Sequence, residues 1–280
     1  MAKLYVVATP IGNLGDITAR ALETLRDVAV IAAEDTRNTK GLLNHFGIGT
    51  RLIALHAHNE RNAARQVLEL LAEGKDVALV TDAGTPAISD PGALLVAAAR
   101  EAGYRVEPIP GASALTAALS ASGLGFEGVV FAGFLPVKGT ERREKLASLA
   151  QSPWAIVLFE APHRVAKTLA DLRTALGDRD VVVARELTKR FETITRVALA
   201  DAAKWIAEDS DRERGEFVLV IEGRVPEVAA GPDPETVLKL LLAEKMPVKS
   251  AAAVGAKLTG AKKGDLYEMA LRIAGKKSGP

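Results

Sequence analysis

Between residues 4 and 115, short runs rich in Val, Ile and Leu alternate with longer helical patterns, and no other feature limits the possible folds as much. The runs 4–8, 28–33, 51–55, 77–81 and 105–109 have the composition of buried parallel strands. Between them, Ile17, Ala21, Leu22 and Leu25 mark a one-sided helix, and Ala64, Val67, Leu68 and Leu71 mark another. This β-α-β-α order predicts a parallel sheet covered by helices, so the chain is of the α/β class. A helical pattern at 112–121 closes this first part, and the glycine-bearing stretch 122–128 marks a junction.

Beyond the junction, strands are expected at 129–134, 154–160, 181–186, 193–199 and 217–222, with helical patterns near 139–150 and 162–175. The last two strands suggest an antiparallel or mixed sheet. Residues 225–234, rich in Pro, Gly and Ala, read as a linker. Helical patterns near 235–244, 249–258 and 264–274 follow it. The expected organisation is an α/β domain over 1–121, a second over 122–224, and a linker with a small helical domain over 225–280. Residues 231–280 carry eight Lys and one Arg against five Asp/Glu, so this last part is basic. Either it touches nucleic acid, or it is a helical cap whose lysines face water.

Composition removes several function classes. With no cysteine among 280 residues, disulfides, thiolate nucleophiles, zinc ribbons and iron–sulfur clusters are excluded. A formal charge of +1 confines any polyanion site to a local patch. The longest fully apolar stretch, 93–99, falls far short of the ~20 residues of a membrane helix. The N-terminal apolar run is too short for a signal-peptide core. The expectation is therefore a cytoplasmic protein with no membrane span. Two histidines in Leu55-His56-Ala57-His58-Asn59-Glu60 lack a further His or Cys nearby, so no metal site is expected.

Three loops following strands have the shape of ligand sites. The first, Ala8-Thr9-Pro10-Ile11-Gly12-Asn13-Leu14-Gly15-Asp16, joins a strand to a helix through glycines that let backbone approach a ligand. It is neither a Walker loop nor the G-x-G-x-x-G of dinucleotide folds, although Glu34-Asp35 stand where a ribose-binding acid would be. Its alternative reading is a tight turn with Asp16 near the helix start. The second, Thr81-Asp82-Ala83-Gly84-Thr85-Pro86-Ala87-Ile88-Ser89-Asp90-Pro91-Gly92, is fixed by two prolines and two glycines. The third is Pro108-Ile109-Pro110-Gly111-Ala112-Ser113-Ala114. Loops at the carboxyl ends of parallel strands are where α/β folds place ligands, so the three predict a cleft.

The Gly84-Thr85-Pro86-Ala87-Ile88-Ser89 and Pro110-Gly111-Ala112-Ser113 segments resemble the tetrapyrrole methylase superfamily. Within it, Thr9-Pro10-Ile11-Gly12-Asn13-Leu14-Gly15-Asp16, Ala33-Glu34-Asp35-Thr36-Arg37, Phe159-Glu160-Ala161-Pro162-His163-Arg164 and Arg185-Glu186-Leu187-Thr188-Lys189 resemble the ribosomal RNA small subunit methyltransferase I family. The resemblance runs over about 4–223. It implies two α/β domains with an S-adenosylmethionine cleft between them, and methylation of the ribose 2′-oxygen of a cytidine in 16S rRNA, in the decoding region. It also implies a homodimer acting on 16S rRNA within the 30S subunit. Tetrapyrrole-specific relatives usually carry an acid where Thr85 stands, which sets this chain with the rRNA branch. By the same resemblance the cofactor lies against Pro10, Gly12, Asn13, Asp82, Gly84, Thr85, Pro86 and Ile88, with Ser113, Ala114 and Phe159 completing the pocket. Asp82 either contributes its carboxylate or braces the loop.

A ribose hydroxyl is a poor nucleophile, and a positioned base accelerates its attack by about 10²–10⁴-fold. Glu34, Asp35, His58, Glu60 and Glu186 are candidates; Glu34 and Asp35, at a strand end on the expected cleft edge, come first. The competing reading is that one of them caps the helix starting near Thr36. Arg37, Lys40, His163, Arg164, Lys189 and Arg190 are the basic residues next to these motifs and are the expected RNA contacts. Two further readings stay open: a small-molecule methyltransferase acting on a tetrapyrrole, and a non-catalytic RNA-binding or ribosome-assembly factor.

Overall fold

Five strands, β1 (Lys3–Val7), β2 (Val30–Ala33), β3 (Arg51–Ala54), β4 (Val77–Val80) and β5 (Arg105–Ile109), form an all-parallel sheet in the order β3-β2-β4-β1-β5. The computed structural model describes residues 2–224 and 232–275. Five helices accompany these strands: α1 (Ala19–Asp27), α2 (Thr36–His45), α3 (Glu60–Ala72), α4 (Ala93–Glu101) and α5 (Ala114–Ala121). The sheet has two packed faces, as its apolar strands require. Val77 and Leu79 point to the layer of α3 and α4, against Val67, Leu71 and Leu95. Ala78 and Val80 point the other way, to the layer of Ala21, Leu25 and Leu43 from α1 and α2. Every residue of β2 and β4 is buried.

The second sheet is mixed. It contains β6 (Val129–Phe134), β7 (Ala155–Glu160), β8 (Asp180–Arg185), β9 (Thr193–Ala198) and β10 (Phe217–Ile221) in the order β6-β7-β10-β8-β9. Only β6 and β7 run parallel; β10 is antiparallel to β7 and β8, and β8 to β9. One face is packed by α6 (Gly139–Ala150), α7 (Val165–Leu176) and α8 (Leu199–Ala207), through Leu146, Leu169, Leu172 and Ile206. The other face receives α5: Ala118 packs with Val157, Val182, Val218 and Val220. Helix α5 thus belongs to the first half by sequence and packs on the sheet of the second. Residues 1–224 form one compact unit.

Residues 225–280 form another unit. Its described part comprises α9 (Pro234–Ala243), α10 (Val248–Thr259) and α11 (Lys263–Ile273) around Leu238, Ala251, Ala252, Leu266 and Ala270. Most of the linker expected at 225–234 lies outside the described residues.

Two local expectations differ from the structure. The first strand does not lead straight into a helix: a 3-10 turn at Leu14–Asp16 intervenes, and α1 starts only at Ala19. Thr18 sets that start, its hydroxyl accepting from Ala21 N–H at 3.1 Å, so Asp16 is not at the α1 N-terminus. Helix α8, between the last two strands, has no counterpart in the sequence reading; its apolar Leu199, Ala202 and Ile206 are spaced for one buried face. No described helix is long and apolar enough to cross a membrane.

Candidate active site

The loops after β1, β4 and β5 are tied to one another beyond the sheet. Thr9 N–H donates to Gly84 O at 2.9 Å and Gly84 N–H to Thr9 O at 3.0 Å. The Thr9 hydroxyl donates to Thr81 O at 3.1 Å, and the Thr85 hydroxyl to Ala112 O at 3.3 Å. Gly84 has φ +80°, and a Cβ there would stand 3.3 Å from Ile11 Cγ2. Glycine is needed both for the backbone angle and for the close approach.

These loops form one wall of a cavity of about 340 Å³, within the ~300–1,000 Å³ of small-molecule sites. Ile11, Ala83, Gly84, Thr85, Ile88 and Asp90 contribute from the first two loops, and Ser113 and Ala114 from the third. Opposite stand Phe134, Phe159–Pro162, Leu187 and Glu216–Val218, from the ends of β6, β7 and β10 and the loop after β8. Phe159 meets Phe131 and Phe134 edge-on, with ring centroids 4.9 and 5.8 Å apart. Ile88 and Phe134 are exposed, so an apolar surface faces the opening. Ser113 precedes α5 without a side-chain capping bond, and the first-turn amides of a helix have no intrahelical acceptor. A flat ring system with polar ends, such as an adenosyl sulfonium, suits apolar walls flanked by backbone donors.

Of the expected cofactor residues, Gly84, Thr85, Ile88, Ser113, Ala114 and Phe159 line this cavity. Pro10, Gly12 and Asp82 line an adjoining one of about 370 Å³, together with Lys189 and Glu216. Asn13 and Pro86 line neither: the Asn13 side chain accepts from Gly15 N–H at 2.9 Å and shapes the 3-10 turn, and Pro86 is buried. Asp82 braces the site from behind, its carboxylate accepting from Asp35 N–H at 3.1 Å and Asn38 Nδ2 at 2.9 Å.

Neither Glu34 nor Asp35 lines the cavity. Asp35 is the N-cap of α2, accepting from Arg37 N–H at 2.8 Å, and the Arg37 guanidinium binds the same carboxylate at 2.6 Å. That guanidinium, with the Arg37 amide, holds the Asp35 carboxyl down to about 2. The capping reading is the one realised, and an acid this strongly held is a poor base. Burial pushes the Glu34 carboxyl above its usual range, with the neighbouring Asp82 and Asp35 charges adding to the rise and the Asp82 amide opposing it. Glu60 is occupied too, accepting from Gly92 and Leu94 N–H at 2.8 and 3.0 Å at the start of α4.

The expected RNA contacts divide into two groups. Arg37, Lys40, His163 and Arg190 are exposed. Arg164 is not free: its Nε lies 3.2 Å from the fully buried Glu160 carboxylate, and its Nη2 donates to Leu135 O at 2.5 Å. Lys189 bridges Glu186 and Glu216 at 3.0 and 2.8 Å, its stem pressed against Gly12. Asp90, Ile11, Phe134, Leu187 and Glu216 line the cavity without having been assigned to it from sequence. Asp90 carried a legible signal, since it closes the second loop; Phe134 and Leu187 look like ordinary core residues.

Residues 3–203 match the family model Tetrapyrrole (Corrin/Porphyrin) Methylases, and residues 228–274 match the RsmI C-terminal HTH domain. The Ribosomal RNA small subunit methyltransferase I of Pseudomonas aeruginosa is 50% identical over 277 residues, 98% of each chain. The protein of the same name from Xylella fastidiosa is 51% identical over 265 residues, 94% of this chain and 97% of its own. The fold is shared with the uroporphyrin-III C-methyl transferase from Thermus thermophilus complexed with S-adenyl homocysteine, with a TM-score of 0.55 at 18% identity over 79% of this chain and 97% of that one. With near-complete coverage at half identity, the chain belongs to the ribosomal RNA small subunit methyltransferase I family.

Proposed function

We propose that this chain is an S-adenosylmethionine-dependent methyltransferase that methylates the ribose 2′-hydroxyl of a cytidine in 16S rRNA. The observation that carries this reading is the cavity where the β1, β4 and β5 loops meet, in a chain half identical to rRNA methyltransferases along its whole length. When bound, S-adenosylmethionine supplies an electrophilic methyl group on a sulfur that leaves readily. The protein then has mainly to hold the acceptor oxygen in line with that methyl, and positioning of this kind contributes about 7–11 kcal/mol. The residues that would hold the cofactor are those lining the cavity: the backbone at Ala83 and Gly84 would allow close approach, Ile88 and Phe159 would supply apolar surface, and Ser113 and Ala114 would offer hydroxyl and amide donors. The apolar wall excludes water from the reacting atoms.

The substrate is the rRNA within the 30S subunit, engaged in the cytoplasm by the exposed Arg37, Lys40, His163 and Arg190. Support comes from their location: His163 follows the cavity-lining Pro162, and Arg37 and Lys40 lie on the helix that follows Glu34 and Asp35. The chain acts as a homodimer, a reading supported by the edge strand β9, where Ile194 is exposed next to an exposed Phe191. Residues 1–121 and 122–224 act as the two domains of the catalytic part.

Deleting the gene is expected to remove 2′-O-methylcytidine from 16S rRNA, and this chain to restore it; unchanged modification overturns the reading. Purified protein given labelled cofactor should label 30S particles and leave uroporphyrinogen-type substrates unlabelled. Label on the tetrapyrrole would assign a small-molecule activity. RNA affinity without affinity for S-adenosylhomocysteine would mean a non-catalytic factor.

A further inference from the structure

Three carboxylates line the cavity: Asp90, Glu160 and Glu216. Two are already committed. Glu160 accepts from the Thr168 hydroxyl at 2.6 Å and from Ala161 N–H at 2.8 Å, and faces Arg164. Glu216 is bound by Lys189. Asp90 makes no ion pair and no side-chain hydrogen bond among the described residues, and the nearby buried Thr81 hydroxyl has no hydrogen-bond partner.

The backbone around Asp90 is held from both sides. Ala87 and Ser89 have φ of +66° and +69°, costly angles for residues with a side chain. The Ser89 Oγ sits where a Cβ on Gly133 would be 3.0 Å away, so the strained turn leans on β6 of the second sheet. On the far side, the Glu60 carboxylate grips Gly92 and Leu94 N–H. These contacts hold the backbone on either side of Asp90, which lines the cavity.

We propose that Asp90 is the catalytic residue that takes the proton from the acceptor ribose hydroxyl, a role that rests on the methyltransferase reading above. In the step, the hydroxyl oxygen bonds to the methyl carbon while the carbon–sulfur bond breaks, its electron pair remaining on sulfur. The hydroxyl proton passes to an Asp90 Oδ and from there to water. The groups facing Asp90 suit a proton acceptor: burial, with the Glu34 and Asp82 charges, pushes its carboxyl up to about 6, against the Thr81 hydroxyl, which acts in the opposite direction. A base poised near the working pH combines a useful ionised fraction with good proton affinity.

The test uses the full chain, 30S subunits lacking the modification, and labelled S-adenosylmethionine under single-turnover conditions. Asp90→Asn is expected to slow methyl transfer by about 10²–10⁴-fold. Its S-adenosylhomocysteine affinity by calorimetry should stay within about threefold of the unaltered chain, because the lost interaction acts only in the transition state. The unaltered enzyme should lose rate about tenfold per unit below a pH of about 6, a limb absent from Asp90→Asn and restored by Asp90→Glu. Asp90→Asn active within about threefold, or an equal loss of cofactor affinity and rate, overturns the assignment. So does the absence of an acid limb in the unaltered enzyme, a readout independent of whether the variant folds. If the unaltered chain methylates no rRNA, the methyltransferase reading itself falls; if it does and Asp90→Asn keeps pace, only the role of Asp90 falls.

Discussion

Replacing Arg164 by alanine tests whether this motif arginine serves RNA or architecture. Its Nε pairs at 3.2 Å with a Glu160 side chain that is 0% exposed, and Arg164 itself is 21% exposed. Removing one partner of a buried pair strands the other charge, at about 3–5 kcal/mol. The Thr168 and Ala161 bonds remain on Glu160, which places the cost at the lower end, about 3 kcal/mol. Leu135 O also loses its donor, adding about 1 kcal/mol. A chain of this size shifts by about 2–4 °C per kcal/mol, so Arg164→Ala should unfold about 8 °C or more earlier in a thermal scan. Glu160→Gln removes the charge that Arg164 compensates, so the double variant should be more stable than the summed single effects imply, by about 2 kcal/mol. Because Glu160 lines the cavity, S-adenosylhomocysteine affinity should fall with stability in Arg164→Ala. A melting temperature within about 2 °C of the parent, combined with lost rRNA methylation, would refute this reasoning and return Arg164 to the RNA surface.

Gly84→Val is expected to abolish cofactor binding, since the branched side chain enters the 3.3 Å gap to Ile11 at a φ of +80°; calorimetry showing near-parental affinity would remove this loop from the site. Asp35→Asn keeps an N-cap residue and should leave methylation within about threefold, whereas a loss of more than about a hundredfold would restore Asp35 as the base. Because its folded carboxyl is depressed to about 2, the stabilisation from Asp35 is present at neutral pH and lost as pH falls from about 4 toward 2, and acid unfolding of Asp35→Asn should be correspondingly less steep. Asp90 has the opposite sign: its carboxyl is raised to about 6, so the folded state holds the proton more tightly and the ionised group destabilises above that pH. After discounting for its partial exposure, Asp90→Asn should gain about 1 kcal/mol in urea melts near neutral pH and nothing below about pH 4. Gly12→Ala places a Cβ 2.4 Å from Lys189 Cγ and should cost about 1–3 kcal/mol, mostly recovered by adding Lys189→Ala; an unrecovered loss would place the strain elsewhere.

The first sheet was legible because its signal is local. Each residue of β2 and β4 is apolar, and the helices between strands show a one-sided pattern, so neither reading depends on distant partners. The three loops were legible for a related reason: glycine and proline report backbone geometry directly. What the carboxylates and cations do was not. Asp35 and Asp90 are each an aspartate in a loop after a strand; one has Arg37 two residues on, and the other has only Thr81, Glu34 and Asp82, brought to it by the fold. Arg164 and Lys189 looked like free surface cations: Glu160 and Glu186 stand only four and three residues before them, but the second partners that complete each site, Leu135 O and Glu216, lie 29 and 27 residues away.

Contacts at this range give the motifs of the second half a physical role in a site whose loops come mainly from the first. Lys189 Cγ occupies the space that a Cβ on Gly12 would fill, and Ser89 Oγ lies 3.0 Å from a Cβ placed on Gly133. Each glycine admits one side chain from the opposing half, and each admitted side chain fixes a loop: Lys189 holds the turn after β1, while Ser89 holds the strained turn before Asp90. Glu160 and Arg164 fix the far wall in the same manner, through one buried charge pair. A cavity walled by two sheets needs its walls held at a set separation if the acceptor oxygen, the methyl group and a base are to stay aligned, since misplacement by about 1 Å can cost about a hundredfold in rate. Substitutions at Gly12, Gly133 or Arg164, none of which lines the cavity that holds Asp90, should therefore lower turnover along with stability.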